Sequence, residues 1–271
     1  MGLGPVMDID VEGRRLAWRA AGQGPPLLLI NGYAATGADW DPEFLAALGE
    51  SFEVICPDNR GTGGSELGEA ELTIDGMAAD FEALLDALEI ERATVAGWSM
   101  GGFVAQRLAA RSPARVAALA LLSTDPGGPN SIPAAPQDWA RLVDRSGTDR
   151  EQASRLISLL FPPDLAPEID RQFGELVAKG RAQLSPLTLD AQEAAMEAWH
   201  RGASADHVVA EAAPTLIVHG DLDAVIPAAN TEVLTARRPG SQVEILSGCA
   251  HAVMAQEPRR VADLIRALAD G

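Results

Sequence analysis

Residues 93–102 read Ala93-Thr94-Val95-Ala96-Gly97-Trp98-Ser99-Met100-Gly101-Gly102. A short apolar run, 93–96, leads into a serine with glycine two positions before and two positions after it. From 99 to 110 the apolar residues recur at helical spacing. The stretch predicts a buried strand, a tight turn and a helix. A turn that sharp needs small residues on both sides of its apex, and Gly97 and Gly101 supply them. Ser99 then stands at the carboxyl end of a strand, where open α/β sheets place ligands. The amino end of the next helix lies beneath it and favours developing negative charge.

Outward from this stretch, similar runs recur. Residues 6–11 and 14–21, split by Glu12-Gly13, predict an antiparallel hairpin. Runs at 27–30, 52–56, 116–122, 216–219 and 243–246 are continuous enough to predict buried strands. Helical patterns lie at 73–88, 228–238 and 258–269 among them. In 73–88, Ile74, Met77, Phe81, Leu84, Leu85 and Leu88 fall on one face. Strands alternating with helices predict an α/β fold, a mostly parallel eight-stranded sheet with helices on both faces.

The alternation stops at Asp125, before Pro126-Gly127-Gly128-Pro129, and restarts at Pro214. Between them only helical patterns appear, at 137–144, 150–160, 167–179 and 189–199. This predicts a helical cap, residues 126–213, inserted into a core made of 1–125 and 214–271.

Chemistry at Ser99 requires a base, because a free hydroxyl is a poor nucleophile near neutral pH. The chain has 4 histidines. His200 and His207 fall in the helical insertion, and His219 ends a buried strand. His251 follows the last strand, in a loop that returns to the edge of the sheet where Ser99 stands, and is the best candidate. An acid is needed to orient the imidazole and stabilise its protonated form. Asp223 and Asp221 both follow the penultimate strand. Asp223 lies further into the loop and is preferred, whereas Asp221 reads as a turn or cap aspartate. Asp125 is a third candidate. The amide of Met100 and that of Tyr33, in the loop Asn31-Gly32-Tyr33-Ala34, are the expected oxyanion donors. Trp98, Gly32, Trp139 and Phe161 are expected around the substrate.

At this point the chain resembles the α/β-hydrolase superfamily over nearly its whole length. Asp58-Asn59-Arg60-Gly61-Thr62-Gly63-Gly64-Ser65 is similar to the D-x-R-G-x-G-x-S segment after that family's fourth strand. Gly220-Asp221-Leu222-Asp223 with Pro227 resembles its G-x-x-D-x-x-x-P acid loop, which supports Asp223. Gly248-Cys249-Ala250-His251 with Glu257-Pro258 resembles its closing segment. Asn31 departs from the usual His-Gly after the third strand and removes a histidine that often braces that loop. The subgroup that looks nearest is the capped bacterial serine esterases, together with cofactor-free haloperoxidase or perhydrolase types and enol-lactone hydrolases. Ser99 argues against haloalkane dehalogenases and epoxide hydrolases, which carry Asp there, and against dienelactone hydrolases, which carry Cys. The Gly-Gly-Ser-Trp-Gly of proline iminopeptidases is absent.

The remaining composition narrows the partners. The chain has 271 residues, 47% of them hydrophobic, and a formal net charge of −18. That surface repels phosphate backbones and anionic lipid, so neither nucleic acid nor membrane is expected. Cys56 and Cys249 make no disulfide framework. The start of the chain lacks the apolar segment of a secretory signal, and a cytoplasmic monomer or small homo-oligomer is expected. Gly61-Thr62-Gly63-Gly64 lacks the lysine of a phosphate loop. No cofactor and no metal site is expected. The resulting expectation is an ester or lactone hydrolase acting through an acyl-enzyme. C–C bond hydrolysis or perhydrolysis on the same fold is the alternative, and a ligand-binding protein with slow turnover is more distant.

Overall fold

A computed structural model describes residues 2–202 and 213–271. Its strands are β1 (Met7–Val11), β2 (Arg14–Gly22), β3 (Pro26–Ile30), β4 (Glu53–Pro57), β5 (Ala93–Trp98), β6 (Val116–Leu122), β7 (Thr215–Gly220) and β8 (Gln242–Leu246). They form one sheet in the order β1-β2-β4-β3-β5-β6-β7-β8. β2 pairs antiparallel with β1 and with β4, and all other pairs are parallel. Glu12 and Gly13 both have positive φ, 53° and 79°, the combination that matches a two-residue turn to strand twist.

The helices are α1 (Pro42–Leu48), α2 (Ile74–Ala87), α3 (Met100–Arg111), α4 (Pro136–Val143), α5 (Asp149–Leu160), α6 (Ala166–Arg181), α7 (Pro186–Arg201), α8 (Asn230–Arg237), α9 (Val253–Gln256) and α10 (Pro258–Asp270). The apolar side chains form two clusters. One includes Met77 and Phe81 of α2 with Phe103 and Val104 of α3. The other includes Phe44 of α1 with Val261 and Ile265 of α10. Leu27 to Ile30 and Leu119 to Leu122 are completely buried, as strands covered on both faces must be. Each leucine and isoleucine among them contributes roughly 1.5–3 kcal/mol by leaving water.

The strand at 243–246 differs from the buried reading. β8 lies at the sheet edge, with only β7 beside it, and exposes Val243 by 41% and Ile245 by 43%. Two short helices have no counterpart in the periodicity. α1 spans only seven residues, too few for a moment to register, although Asp41-Pro42 is a legible start signal; the Asp41 carboxylate accepts the amides of Glu43 and Phe44 at 2.9 Å. α9 spans four.

Helices α4–α7 sit between β6 and β7, as one helical insertion. It docks on core loops through specific bonds. Thr188 Oγ1 donates to Gly61 O at 3.0 Å, and Gln192 Oε1 accepts the Ala34 amide at 2.9 Å. Trp199 stacks on Phe103, with ring centroids 5.1 Å apart. The end of the insertion, including His207, lies outside the described residues. Because β3, β5, β6, β7 and β8 run parallel, the loops that follow them all emerge at one edge of the sheet. That edge carries Gly32, Ser99, Asp125, Asp223 and His251.

Candidate active site

Ser99 links β5 to α3 with φ 55° and ψ −124°, a conformation unfavourable for any residue with a Cβ. The surroundings enforce it. A Cβ added to Gly97 would overlap the Gly101 carbonyl, and one on Gly101 would overlap the Ile30 carbonyl, so the turn closes only with glycine at both positions. The Ser99 amide donates to Leu122 O at 3.0 Å, and Thr124 Oγ1 donates to Ser99 O at 2.8 Å. Serine at a helix start ordinarily caps the first turn with its own hydroxyl. Ser99 makes no such bond, because its backbone points the side chain away from the helix. The residue is 8% exposed.

His251 is 2% exposed, and its Nδ1 lies 2.8 Å from Asp223 Oδ2. Trp98, the residue before Ser99, donates Nε1–H to the His251 carbonyl at 2.9 Å, and the two rings are 5.2 Å apart. The turn at Ser99 and the loop of His251 are thereby fastened to each other. Ser99 Oγ and His251 Nε2 are not hydrogen-bonded to one another.

Asp223 is wholly enclosed. Its Oδ1 accepts the amides of Val225 and Ile226, both at 2.9 Å. Burial pushes its carboxyl pKa up. The charge of His251 and the hydrogen bonds from His219 and His251 outweigh that and hold the pKa at about 2. The other two acids are engaged elsewhere. Asp221 accepts Gly248 N at 2.7 Å and Ser247 Oγ at 3.1 Å on the surface. Asp125 faces the insertion, where it meets His200 Nε2 at 2.9 Å and Trp199 Nε1 at 3.1 Å.

His219, set aside in the sequence as the end of a strand, is the residue the motifs miss. Its Nε2 is 2.7 Å from Ile226 O and 3.3 Å from Asp223 Oδ2. The available signal is the spacing: a histidine at the last inward position of β7, four residues before the acid.

The loop after β3 brings Gly32 against Ser99, since a Cβ there would lie 3.2 Å from Ser99 Cβ. No described acceptor takes the amide of Tyr33 or that of Met100. Asn31 takes over the bracing of this loop. Its Oδ1 accepts Gly32 N at 2.9 Å, and its Nδ2 donates to Thr36 O at 2.6 Å. Asn59 adds a second brace by donating Nδ2–H to Asn31 O at 2.9 Å. The glycine-rich segment is structural: Asp58 accepts Gly37 N and Gly64 N, both at 2.8 Å, while Arg60 pairs with Asp80.

The sequence model of the alpha/beta hydrolase fold family matches residues 25–258. The chain belongs to the α/β-hydrolase fold family. An uncharacterised Mycobacterium tuberculosis protein is 31% identical over 99% of this chain and 84% of its own length. A pimeloyl-[acyl-carrier protein] methyl ester esterase of Aeromonas hydrophila is 28% identical, covering 90% of this chain and 95% of that one. A hydrolase of Pseudomonas aeruginosa superposes with a TM-score of 0.84 at 27% identity, over 99% of both chains. Within this α/β hydrolase, the aromatic residues expected near the substrate have these surroundings. Trp98 lies against His251 and Trp40. Trp139 packs at the margin of the first core cluster and Phe161 at that of the second. Cys56 and Cys249 are buried and unbridged, with burial pushing the Cys56 thiol to about 12. Among the described residues no group of three or more His, Cys, Asp or Glu is placed to hold a metal ion. No described helix is long and apolar enough to cross a membrane.

Proposed function

We propose that the chain is a carboxylic ester or lactone hydrolase acting through an acyl-enzyme, with Ser99 as nucleophile, His251 as general base and Asp223 as the acid that orients it. The observation that carries this reading is the enclosed His251 Nδ1–Asp223 Oδ2 bond at 2.8 Å, fastened through Trp98 to the turn that strains Ser99. Asp223 fixes the tautomer with the proton on Nδ1, so Nε2 is left to accept.

Ser99 Oγ attacks the substrate carbonyl carbon as His251 Nε2 takes the hydroxyl proton. The oxyanion lies on the amides of Met100 and Tyr33. Such donors contribute through being fixed in advance, which is the task of Asn31 and Asn59. Collapse breaks the C–O bond of the ester, and the alcohol leaves with the proton from His251. Water, deprotonated by the same imidazole, then attacks the acyl-enzyme and releases the acid and Ser99. Helices α4–α7 act as a cap over the site and select the acyl group. Trp98, Gly32, Trp139 and Phe161 are the residues assigned around it.

Hydrolysis of p-nitrophenyl butyrate tests the reading. Ser99→Ala is expected to lower kcat by about 10⁴-fold or more, and a fluorophosphonate probe to label the wild-type serine alone. Full turnover by Ser99→Ala overturns the mechanism.

A further inference from the structure

Helix α7 turns a buried stripe to the core, in which Thr188, Gln192, Ala195 and Trp199 recur at helical spacing. Gln192 stands out in it. It is completely buried, where glutamine is seldom found, and its Nε2 has no acceptor among the described residues. An apolar side chain of the same length would fill the space without stranding a donor. The other end of the amide is engaged: Gln192 Oε1 accepts the Ala34 amide at 2.9 Å. Exchanging the two ends of the amide would set one N–H against another, so the oxygen must face Ala34.

The amide so held belongs to a strained residue. Ala34 has φ 57°, in the left-handed region that only glycine enters freely. Such a conformation persists only where its surroundings hold it. Tyr33, the residue before it, is therefore tied on both sides. On one side, Asn59 Nδ2 donates to Gly32 O, the carbonyl of the peptide that carries the Tyr33 N–H, at 3.3 Å. On the other, Gln192 takes the next amide along. The Tyr33 phenol adds a third tie, donating to Glu193 Oε1 at 2.5 Å, and Arg145 Nη2 donates to the same oxygen. The Tyr33 amide itself has no described acceptor. Two of the three ties thus come from consecutive residues of the insertion.

We propose that Gln192 is a positioning residue for the oxyanion hole: by holding the Ala34 amide it fixes the Tyr33 amide, so that the helical insertion completes the catalytic machinery as well as selecting the substrate. This rests on the serine hydrolase reading above. Donors to an oxyanion act through being fixed in advance, so a tie to the neighbouring peptide is felt in the rate and not in ground-state binding.

The test uses p-nitrophenyl acetate, butyrate and hexanoate. Gln192→Met keeps the length of the side chain and removes the acceptor. Its kcat is expected to fall about 10–100-fold, by the same factor on all three esters and with KM unchanged. A residue that only shaped the acyl pocket would change KM and the ranking of the esters. The Ki of a butyl trifluoromethyl ketone, whose adduct with Ser99 carries an oxyanion, is expected to rise by a similar factor. Gln192→Glu keeps an acceptor oxygen in either protonation state and is expected to recover most of kcat. Thr188→Val is the control for docking alone, since Thr188 Oγ1 donates from the same face of α7 to Gly61 O, in a different loop; its kcat is expected to stay within about threefold of wild type. Gln192→Leu, also without an acceptor, replaces Gln192→Met if that variant does not fold. A kcat within about threefold of wild type in the acceptor-free variant, or a loss confined to KM that varies with acyl length, overturns the positioning role. Failure of both acceptor-free variants to fold assigns the bond to docking and overturns it too. If wild type neither turns over these esters nor takes the fluorophosphonate at Ser99, the hydrolase reading itself fails and the role of Gln192 falls with it. Labelled, active wild type beside equally active variants sinks the role of Gln192 alone.

Discussion

His219 Nε2 stands 3.3 Å from Asp223 Oδ2, the same oxygen that His251 Nδ1 meets at 2.8 Å. The carboxylate is therefore held between two imidazoles, one from the end of β7 and one from the loop after β8. With two backbone amides on the other oxygen, Asp223 has its acceptor sites filled and its direction fixed.

His219→Phe keeps the volume and removes the donor to Ile226 O, in the loop whose amides hold Asp223. A buried carbonyl left unpaired costs about 1–3 kcal/mol, enough to loosen that loop, so kcat is expected to fall roughly tenfold. KM is expected to stay unchanged, because His219 acts through Asp223 and does not touch substrate. His219→Gln, which can still donate to Ile226 O, is expected to recover part of the loss. A KM effect equal to the kcat effect would contradict the positioning role.

Asp223→Asn and Asp221→Asn separate the two neighbouring acids. Asp223→Asn is expected to reduce kcat by about 10⁴-fold, since an amide cannot hold the required tautomer or stabilise the imidazolium. Asp221→Asn affects a surface tie between two loops, so kcat should stay within about threefold, with stability lower by roughly 0.5–1.5 kcal/mol. Steady-state kinetics and urea unfolding check both.

The Asp223 carboxyl also makes stability depend on pH. Its folded pKa of about 2 lies below the ordinary value of 3.8. The contribution of a depressed acid is present in full above its unfolded pKa and is lost as pH falls through the folded one. The window is therefore from about pH 4 down to about pH 2, and the amount is on the order of 2 kcal/mol. Urea unfolding between pH 5 and pH 2.5 is expected to show a smaller pH-dependent loss in Asp223→Asn than in wild type. Equal losses would mean that the pair contributes nothing in acid.

Asn59→Ala tests the bracing of the oxyanion loop. The side chain donates to Asn31 O at 2.9 Å and to Gly32 O at 3.3 Å. Removing it loosens the backbone that carries the Tyr33 amide. The expected result is a kcat lower by about 10–100-fold, less than the 10²–10³-fold typical of removing an oxyanion donor outright. The rate of serine labelling by a fluorophosphonate should fall in parallel.

Much of this arrangement is legible in the residues. The apolar runs at 27–30 and 116–122 identify strands covered on both faces, because only such strands lack polar alternation. The glycines at 97 and 101 identify the turn at Ser99, because the steric conflict they avoid is with residues close in the chain and at the neighbouring strand end. The edge position of β8 is not legible, since strand order is a property of pairing between distant segments.

The same division runs through the site. Local spacing fixes where a serine can be strained, which loops share an edge and in what order the candidate nucleophile, acid and base follow one another. It prefers Asp223 to Asp221 and Asp125 without excluding them, because each follows a parallel strand and each can reach that edge. The folded chain gives each its own partners: Asp223 turns inward to His251, Asp221 ties a surface loop and Asp125 receives His200 and Trp199. His219 as a second imidazole beside Asp223 is likewise visible only there. Side-chain proximity across the ends of separate strands depends on register and twist accumulated over the whole sheet, and no window of sequence contains it.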